Sequence, residues 1–205
     1  MADNVAALLR LMLVTDDRLV QGRDLLALAL AAERGGVTSV QLRLKHSDAR
    51  DLAAGVRALR AVLSIPVLVN DRADVAIATG AAGVHLGPDD IPVDLVRRIA
   101  PTGFVIGASV GTPSEASAAG MADYWGVGPW RETLTKADAG RGLGPDGLRG
   151  IIAIAAGKPC VAIGGIQPED VAMVLKAGAR GVAVASGILG QPDIERAARR
   201  YITTR

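Results

Sequence analysis

The sequence is poor in the residues that disulfide frameworks and stacking surfaces require. Its 205 residues include one cysteine, and aromatic residues make up only 2%. The single cysteine, Cys160, excludes an internal disulfide and favours a reducing compartment such as the cytoplasm. So few aromatic rings also argue against the stacking platforms that bind single-stranded nucleic acid. The core must therefore be built mainly from alanine, valine, leucine and isoleucine.

An excess of one charge and long apolar runs are missing as well. Lys plus Arg number 23 and Asp plus Glu number 21, so the net charge is +2. This balance argues against binding of nucleic acid or a membrane surface through bulk charge. No run approaches the ~18 apolar residues of a membrane-spanning helix. The apolar stretch 6–14 lacks a basic leader and a cleavage site, so it predicts a strand rather than a signal peptide.

Short β-branched segments alternate with segments rich in alanine, leucine and arginine along the whole sequence. The pattern predicts strands at 11–15, 39–44, 67–70, 83–86, 104–108, 124–128, 160–164 and 181–185. It predicts helices at 23–34, 49–63, 93–99, 113–119, 147–156, 168–177 and 193–201. The strands are almost continuously apolar, which is typical of a parallel sheet buried on both faces. We therefore predict a single-domain (β/α)8 TIM barrel over residues 1–205, with a doubly wound open sheet as the alternative.

Polar side chains follow the predicted strands, and the second strand carries the clearest group. Gln41, Arg43 and Lys45 alternate along it, so we expect all three to face the inside of the barrel. In parallel barrels the chemistry gathers at the carboxyl ends of the strands. Two inward cations require an anion to offset their burial. An arginine beside a lysine suits a diphosphate in both charge and geometry.

Carboxylates follow the third and fourth predicted strands. Asn70 and Asp71 come directly after one strand, and Asp90 comes shortly after the next. Two carboxylates close to a diphosphate indicate Mg²⁺, which binds one or two carboxylates together with phosphate oxygens. Each aspartate taken alone is equally typical of a helix N-cap. The neighbouring cations favour the metal interpretation.

A second anion site is predicted after the last two strands. Gly164 and Gly165 precede a helix that starts at Pro168, and the N–H groups at a helix start favour a phosphate. Residues 181–186 would complete the site, as in many barrels. The glycines alone are equally typical of a tight turn. Two separate anion sites imply two phosphorylated substrates.

Three further features have simple interpretations. The segment 130–144 is long, polar and aperiodic, which predicts a functional loop. His85 lies within an apolar strand and is predicted to be a satisfied core residue. Cys160 begins an apolar strand and is predicted to be inert packing.

Taken in order, the motifs resemble those of thiamine phosphate synthases. They are 41–45 (QLRLK), 70–72 (NDR), 83–87 (GVHLG) through Asp90, 133–136 (TLTK) and 162–166 (AIGGI). The resemblance covers residues 11–189. It implies a transferase of thiamine biosynthesis, with a barrel fold, that joins 4-amino-2-methyl-5-hydroxymethylpyrimidine diphosphate to thiazole phosphate and releases diphosphate. The implied mechanism is dissociative: diphosphate leaves, a carbocation forms, and the thiazole nitrogen captures it.

The resemblance also implies roles for individual residues. The pyrimidine diphosphate would be bound by Gln41, Arg43, Lys45, Asn70, Ser109 and Lys136, and Mg²⁺ by Asp71 and Asp90. The thiazole phosphate would be bound by Thr133, Thr135, Gly165, Ala185 and Ser186. Lys136 and Ser109 would be catalytic, because they would stabilise the departing diphosphate.

Three other functions fit less well. A thiazole tautomerase or regulatory relative shares the fold, but the complete diphosphate set and the missing histidine at Gly111 count against it. A sugar-phosphate epimerase or isomerase would need a paired acid and base, which two scattered histidines serve poorly. A non-catalytic ligand-binding barrel would leave both aspartates without a role. The chain also departs from the family's usual residues at Met12, Pro88 and 131–132.

Overall fold

A computed structural model describes residues 2–132 and 141–203 of the chain. Parallel strands form a closed barrel in sequence order, and Leu11 of the first strand pairs with Val182 of the last. This confirms the predicted (β/α)8 barrel and excludes the open sheet. The strands are β1 (Leu11–Val14), β2 (Ser39–Leu42), β3 (Val67–Asn70), β4 (Gly83–Leu86), β5 (Val105–Val110), β6 (Tyr124–Val127), β7 (Cys160–Ile163) and β8 (Gly181–Val184).

Helices follow the strands and cover the outside of the barrel. Several begin where an aspartate side chain accepts from the first helical N–H groups; Asp24 and Asp48 do so. Among the described residues, none of the helices has both the length and the apolar character needed to cross a membrane. The helices are α1 (Ala2–Leu8), α2 (Asp17–Val20), α3 (Leu25–Arg34), α4 (Ala49–Val62), α5 (Ala73–Ala78), α6 (Val93–Ile99), α7 (Pro113–Ala118), α8 (Gly144–Ile154), α9 (Val171–Lys176), α10 (Ser186–Leu189) and α11 (Ile194–Thr203), with a 3-10 turn at Pro168–Asp170.

The strands separate two apolar clusters. Leu11 and Leu13 of β1 pack outward with the helices in the larger cluster. Met12 and Val14, the alternate residues of the same strand, point into the barrel and belong to the smaller cluster. Because successive strand residues face opposite sides and both sides are buried, the strands read as continuous apolar runs.

The start of the chain differs from the sequence prediction. The apolar stretch 6–14 was expected to be one strand, but α1 occupies its first part and β1 begins only at Leu11. Val5 and Leu8 of α1 are buried in the smaller cluster, against the inside of the barrel. A short run that is apolar throughout carries no period that separates a helix from a strand. The sequence pattern therefore did not predict α1, whose helical form depends on its packing beneath the barrel.

Candidate active site

The cations predicted on the second strand lie mostly beyond it. β2 ends at Leu42, so only Gln41 lies within the strand, where it is buried. Arg43 and Lys45 follow the strand at its carboxyl end, and the Lys45 side chain is 43% exposed. The prediction that all three face the interior from within the strand is therefore wrong for two of them. Both cations still lie at the end of the barrel where chemistry gathers.

The turn after β1 fixes this cationic segment, Arg43 and Lys45. The N–H of Arg43 donates to Thr15 Oγ1 at 2.8 Å, and its guanidinium Nη1 lies 2.9 Å from Asp16 Oδ2. The N–H of Lys45 donates to Asp17 Oδ2 at 2.9 Å. The side chains of the Arg43–Asp16 ion pair are only 14% and 12% exposed. Three consecutive residues after β1 therefore hold both cations in place.

Asp16 is a candidate functional residue that the sequence analysis did not select. It accepts from the N–H of Arg18 through Oδ1, which caps α2, while Oδ2 pairs with Arg43. The signal was present, because Asp16 is the second residue after β1, much as Asp71 is the first residue after β3. Its partner, however, is 27 residues away along the chain. Nothing in the sequence relates the two directly.

Asp71 and Asp90, the carboxylate pair, lie against each other. The Asp71 and Asp90 side chains hydrogen bond, and burial together with that bond and the Asp90 charge raises the pKa of Asp71 to about 6. Lys45 Nζ, 3.7 Å from Asp71 Oδ2, acts in the opposite direction, as does Arg43. Asp90 Oδ2 accepts the N–H of Gly87 at 2.6 Å. Two acidic side chains are thus held together beside the cationic segment.

Neither aspartate is a helix cap. The residue that caps α5 is Arg72 and the one that caps α6 is Pro92, and neither position makes a side-chain cap hydrogen bond. Asp71 also has a backbone φ of 64°, in the left-handed region that costs a non-glycine residue energy. The capping alternative is therefore wrong for both residues. A strained backbone that brings two carboxylates together points to a ligand for them.

The carboxylate pair suits a hard cation whose remaining ligands are not protein side chains. Within residues 2–132 and 141–203, no group of three or more His, Cys, Asp or Glu side chains could hold a metal. Two carboxylates alone fit Mg²⁺, which commonly completes its octahedron with water and substrate phosphate oxygens. The lysine and arginine beside them would attract the same phosphates.

A network of polar side chains crosses the barrel interior beneath this cluster. His85 Nδ1 lies 3.0 Å from the Tyr124 hydroxyl, and His85 Nε2 lies 3.0 Å from Ser109 Oγ. The Gln41 side chain lies against Tyr124 as well, and its Nε2 contacts Met12 Sδ at 3.5 Å. We call Gln41, Tyr124, His85 and Ser109 the interior network. The prediction that His85 is a satisfied residue of the barrel core is confirmed, but one of its partners is a candidate catalytic residue.

The glycine turn, Gly164 and Gly165, follows β7 and has the backbone that the sequence required. Both residues have positive φ, 100° and 65°. One N–H group at the helix start beyond them is already occupied, because Asp170 Oδ2 accepts the N–H of Gln167 at 2.7 Å. Arg131 lies over the turn: its Nη1 donates to the Gly165 carbonyl at 3.3 Å and its Nη2 lies 2.6 Å from Asp170 Oδ1. A phosphate here would use the glycine N–H groups rather than a helix end.

The remaining predicted site residues divide into two groups. Asn70 is the last residue of β3 and pairs in register with His85, while Ala185 and Ser186 follow β8 at the same end of the barrel. Thr133, Thr135 and Lys136 lie outside the described residues. Cys160 is not part of the site; burial raises the pKa of its thiol to about 11, in agreement with a packing role.

Comparison with known sequences gives a consistent family. A family model described as thiamine monophosphate synthase matches residues 11–188. The thiamine-phosphate synthase of Azorhizobium caulinodans is 47% identical over 203 residues, covering 95% of this chain and 94% of that protein. The thiamine-phosphate synthase of Methanoculleus marisnigri is 47% identical over 194 residues, covering 92% of each.

Comparison with solved structures agrees. The thiamine phosphate pyrophosphorylase from Pyrococcus furiosus superposes with a TM-score of 0.87 at 36% identity, covering 98% of this chain and 96% of that one. A 3-hexulose-6-phosphate synthase superposes with a TM-score of 0.69 at 18% identity, covering 95% and 99%. The second likeness is of the fold alone, which hosts many unrelated reactions.

Proposed function

The chain belongs to the thiamine monophosphate synthase family, and from that premise we propose how its own residues carry out the reaction. It is a transferase of thiamine biosynthesis that acts on small molecules. We propose that it joins 4-amino-2-methyl-5-hydroxymethylpyrimidine diphosphate to thiazole phosphate and releases diphosphate. The observation that carries the proposal is the carboxylate pair held beside the cationic segment at the carboxyl end of the barrel.

The pyrimidine diphosphate is bound at the first half of the barrel. Arg43 and Lys45 supply positive charge to its phosphates, and Gln41, Asn70 and Ser109 supply polar contacts nearer the barrel axis. Arg43 is already oriented by Asp16 and Thr15, so its guanidinium loses little further freedom when it binds. Lys136 adds a further charge to the same group.

Asp71 and Asp90 are the residues that hold Mg²⁺. Burial of Asp71 and the neighbouring Asp90 carboxylate both oppose ionisation of Asp71 without a cation, and the pKa of Asp71 near 6 reflects that cost. When bound, the ion supplies charge that neutralises the diphosphate as the C–O bond breaks. The protein residues meanwhile keep the leaving group aligned and its phosphates surrounded by donors.

No proton shuttle is required of this chain. In a dissociative alkylation the diphosphate departs with the electron pair of the C–O bond, and the thiazole nitrogen supplies the pair that forms the new C–N bond. The thiazole phosphate is held so that its nitrogen faces the pyrimidine carbocation. The residues that hold it are Gly165, Ala185, Ser186, Thr133 and Thr135. Catalysis then consists of charge stabilisation and positioning.

The test of the function is direct. The purified protein should form thiamine phosphate from the two substrates when Mg²⁺ is present, and a chelator should stop the reaction. Thiazole phosphate isomerisation without coupling, or no product under saturating substrates and Mg²⁺, would contradict the proposal. Isomerisation without coupling would favour a tautomerase, and the absence of any product would favour a binding protein.

Asp16→Asn should weaken pyrimidine diphosphate binding while leaving thiazole phosphate binding nearly unchanged. The variant keeps an oxygen to cap α2 but removes the charge that orients Arg43. A charge-assisted hydrogen bond is worth about 1.5–3 kcal/mol, so we expect the KM for the diphosphate to rise by roughly tenfold to a hundredfold. Asp24→Asn is the matched control, because Asp24 also caps a helix, α3, and no Arg43 contact depends on it. Equal KM values in the two variants would refute the role of Asp16.

Gly165→Val should raise the KM for thiazole phosphate far more than the KM for the pyrimidine diphosphate. The residue has a positive φ, and a Cβ there would lie 2.6 Å from Arg131 Cγ. The substitution therefore distorts the turn whose N–H groups face the phosphate. Gly157→Val is the control: Gly157 also has a positive φ, 87°, but a Cβ there meets nothing within 4 Å. It should lower the melting temperature without a selective change in either KM.

A further inference from the structure

We propose that His85 is a positioning residue that fixes the direction of the Ser109 hydroxyl, so that its proton points out of the interior network toward the departing diphosphate. The inference rests on the proposed function, since it concerns how Ser109 performs its part. It assigns a role to two buried side chains, Tyr124 and His85, that have none in the proposed reaction. The chemistry involves no proton transfer; every O–H and N–H bond remains intact.

The geometry connects Tyr124, His85 and Ser109 through two hydrogen bonds. The two imidazole nitrogens of His85 each meet an oxygen at 3.0 Å, Tyr124 Oη on one side and Ser109 Oγ on the other. His85 is 8% exposed and Tyr124 is entirely buried, so water does not compete with these contacts from below. In a neutral imidazole one nitrogen donates and the other accepts. The partner at one nitrogen therefore decides what the other nitrogen does.

Tyr124, at the opposite end of the interior network from Ser109, determines which atoms donate and which accept. Tyr124 is entirely buried, and burial raises the pKa of its hydroxyl, so the hydroxyl keeps its proton. His85 Nδ1 lies 3.0 Å from the Tyr124 oxygen, and a buried O–H group requires an acceptor. Tyr124 therefore directs its proton to His85 Nδ1. Nδ1 is then the acceptor, and Nε2 carries the hydrogen.

The consequence reaches Ser109. An Nε2–H group donates to Ser109 Oγ, which occupies a lone pair of the hydroxyl and leaves its own hydrogen directed elsewhere. Ser109 lies near the end of β5, one residue before the strand ends, at the face that carries the cationic segment. A donor that is already aimed at the leaving group requires no reorientation when charge develops there.

The barrel reserves space for this arrangement. A Cβ at Gly126 would lie 2.8 Å from His85 Cε1, and a Cβ at Gly107 would overlap the ring of Tyr124. The two glycines lie on neighbouring strands, β5 and β6, directly beside the rings they accommodate. Glycine within a strand weakens it, so its presence here marks a close approach. Both rings are therefore held in one orientation by packing as well as by hydrogen bonds.

The decisive experiment compares two substitutions of the same residue. A glutamine side chain at position 85 can place an amide N–H where Nε2 lies, whereas asparagine reaches only the Nδ1 position. We expect His85→Asn to lower kcat by roughly tenfold to a hundredfold, part of the 10²–10³ typical of a lost donor. His85→Gln should recover most of that loss, and neither variant should change either KM by more than about twofold. Equal losses in both variants, or a loss confined to KM, would overturn the proposal.

A double-mutant cycle separates this inference from the function it rests on. If His85 acts through Ser109, His85→Asn should cost little in a Ser109→Ala background, because the group it positions is gone. Losses that multiply would mean that His85 acts independently, which would overturn the proposal. If Ser109→Ala itself had normal turnover, the proposed role of Ser109 would fail instead. Thermal melts of all four proteins identify any variant that fails to fold.

A spectroscopic measurement avoids substitution at His85 altogether. The sequence contains two histidines, so nitrogen NMR of labelled protein with His46→Asn as the assignment control isolates the signal of His85. The unliganded protein should show Nε2 protonated and Nδ1 unprotonated. Tyr124→Phe should change that balance, because it removes the donor to Nδ1. Protonation at Nδ1 in the unsubstituted protein would reverse the network and refute the proposal.

Discussion

Asp71→Asn should remove most of the Mg²⁺-dependent activity and at the same time make the unliganded protein more stable. We expect the activity to fall because one of the two proposed carboxylate ligands is lost. Charge stabilisation by a metal is worth several kcal/mol, so we expect a rate loss of about 10²-fold or more at a fixed, limiting Mg²⁺ concentration. The midpoint of a Mg²⁺ titration of the rate should move to higher concentration.

Asp90→Asn should have the same effect on Mg²⁺ dependence, and the two losses should not add. In the proposed site the two carboxylates share one ion, so removing the first would already disable the function of the second. Rates measured against Mg²⁺ for the unsubstituted protein, both single variants and the double variant test this. Losses that multiply, or an unchanged Mg²⁺ midpoint in either single variant, would argue against a shared ion.

The gain in stability follows from the pKa of Asp71. Its folded-state pKa, about 6, lies above the ordinary value of 3.8, so ionisation of this carboxyl opposes folding at neutral pH. The group adds stability as pH falls from about 6 to about 4. Asparagine removes the unfavourable charge and tolerates the left-handed backbone. At about 1.4 kcal/mol per pKa unit and with allowance for coupling to Asp90, we expect a gain on the order of 2 kcal/mol, or roughly 4–8 °C in melting temperature.

Asp74→Asn, three residues away, should change the stability of the protein in the opposite direction to Asp71→Asn. Arg72 Nη2 lies 2.6 Å from Asp74 Oδ2, and its hydrogen bonds lower the pKa of Asp74. Removing that carboxylate should slightly lower the melting temperature and leave the Mg²⁺ midpoint unchanged. Melts between pH 4 and pH 8 should show the pH dependence reduced in Asp71→Asn but retained in Asp74→Asn.

Lys136→Ala should have the second large effect, with turnover reduced by roughly 10²–10³-fold and the fold intact. Its ammonium contributes most as negative charge grows on the leaving diphosphate, so the loss should appear in kcat more than in either KM. Lys176→Ala is the matched control, since Lys176 is exposed at the end of α9. Near-normal turnover of Lys136→Ala, under conditions in which chemistry limits the rate, would contradict this role.

Much of the barrel could be predicted because its information is local. Apolar runs, their spacing and the helix caps lie within a few residues of the elements they specify, and the predicted strands fall close to those observed. The helix α1 was the main error, because an apolar run that packs below a barrel has the same composition as a strand within it.

The geometry of the site was harder to predict from the sequence, for a different reason. Position after a strand correctly indicated Asp71, Asp90 and Arg43 as neighbours at one end of the barrel. The contacts that orient the site residues come from distant parts of the sequence: Asp16 pairs with Arg43, and Tyr124 contacts His85, which contacts Ser109. Whether an aspartate caps a helix or faces another carboxylate depends on backbone dihedrals at one residue. Those dihedrals have no sequence signal at an aspartate, which is far less often left-handed than glycine.

The pairing of β1 with β8 has a consequence for how the chain reaches this state. Strand β1 gains its second neighbour only when residues 181–184 have been synthesised, since Leu11 pairs with Val182. Close backbone contact of Gly181 with Leu9 and Arg10 seals that seam. Contacts between such distant parts of a sequence slow folding, because the entropy cost of closing the loop comes before the favourable free energy of strand pairing. During translation α1 and β1 therefore expose apolar surface until β8 is available to pair with β1.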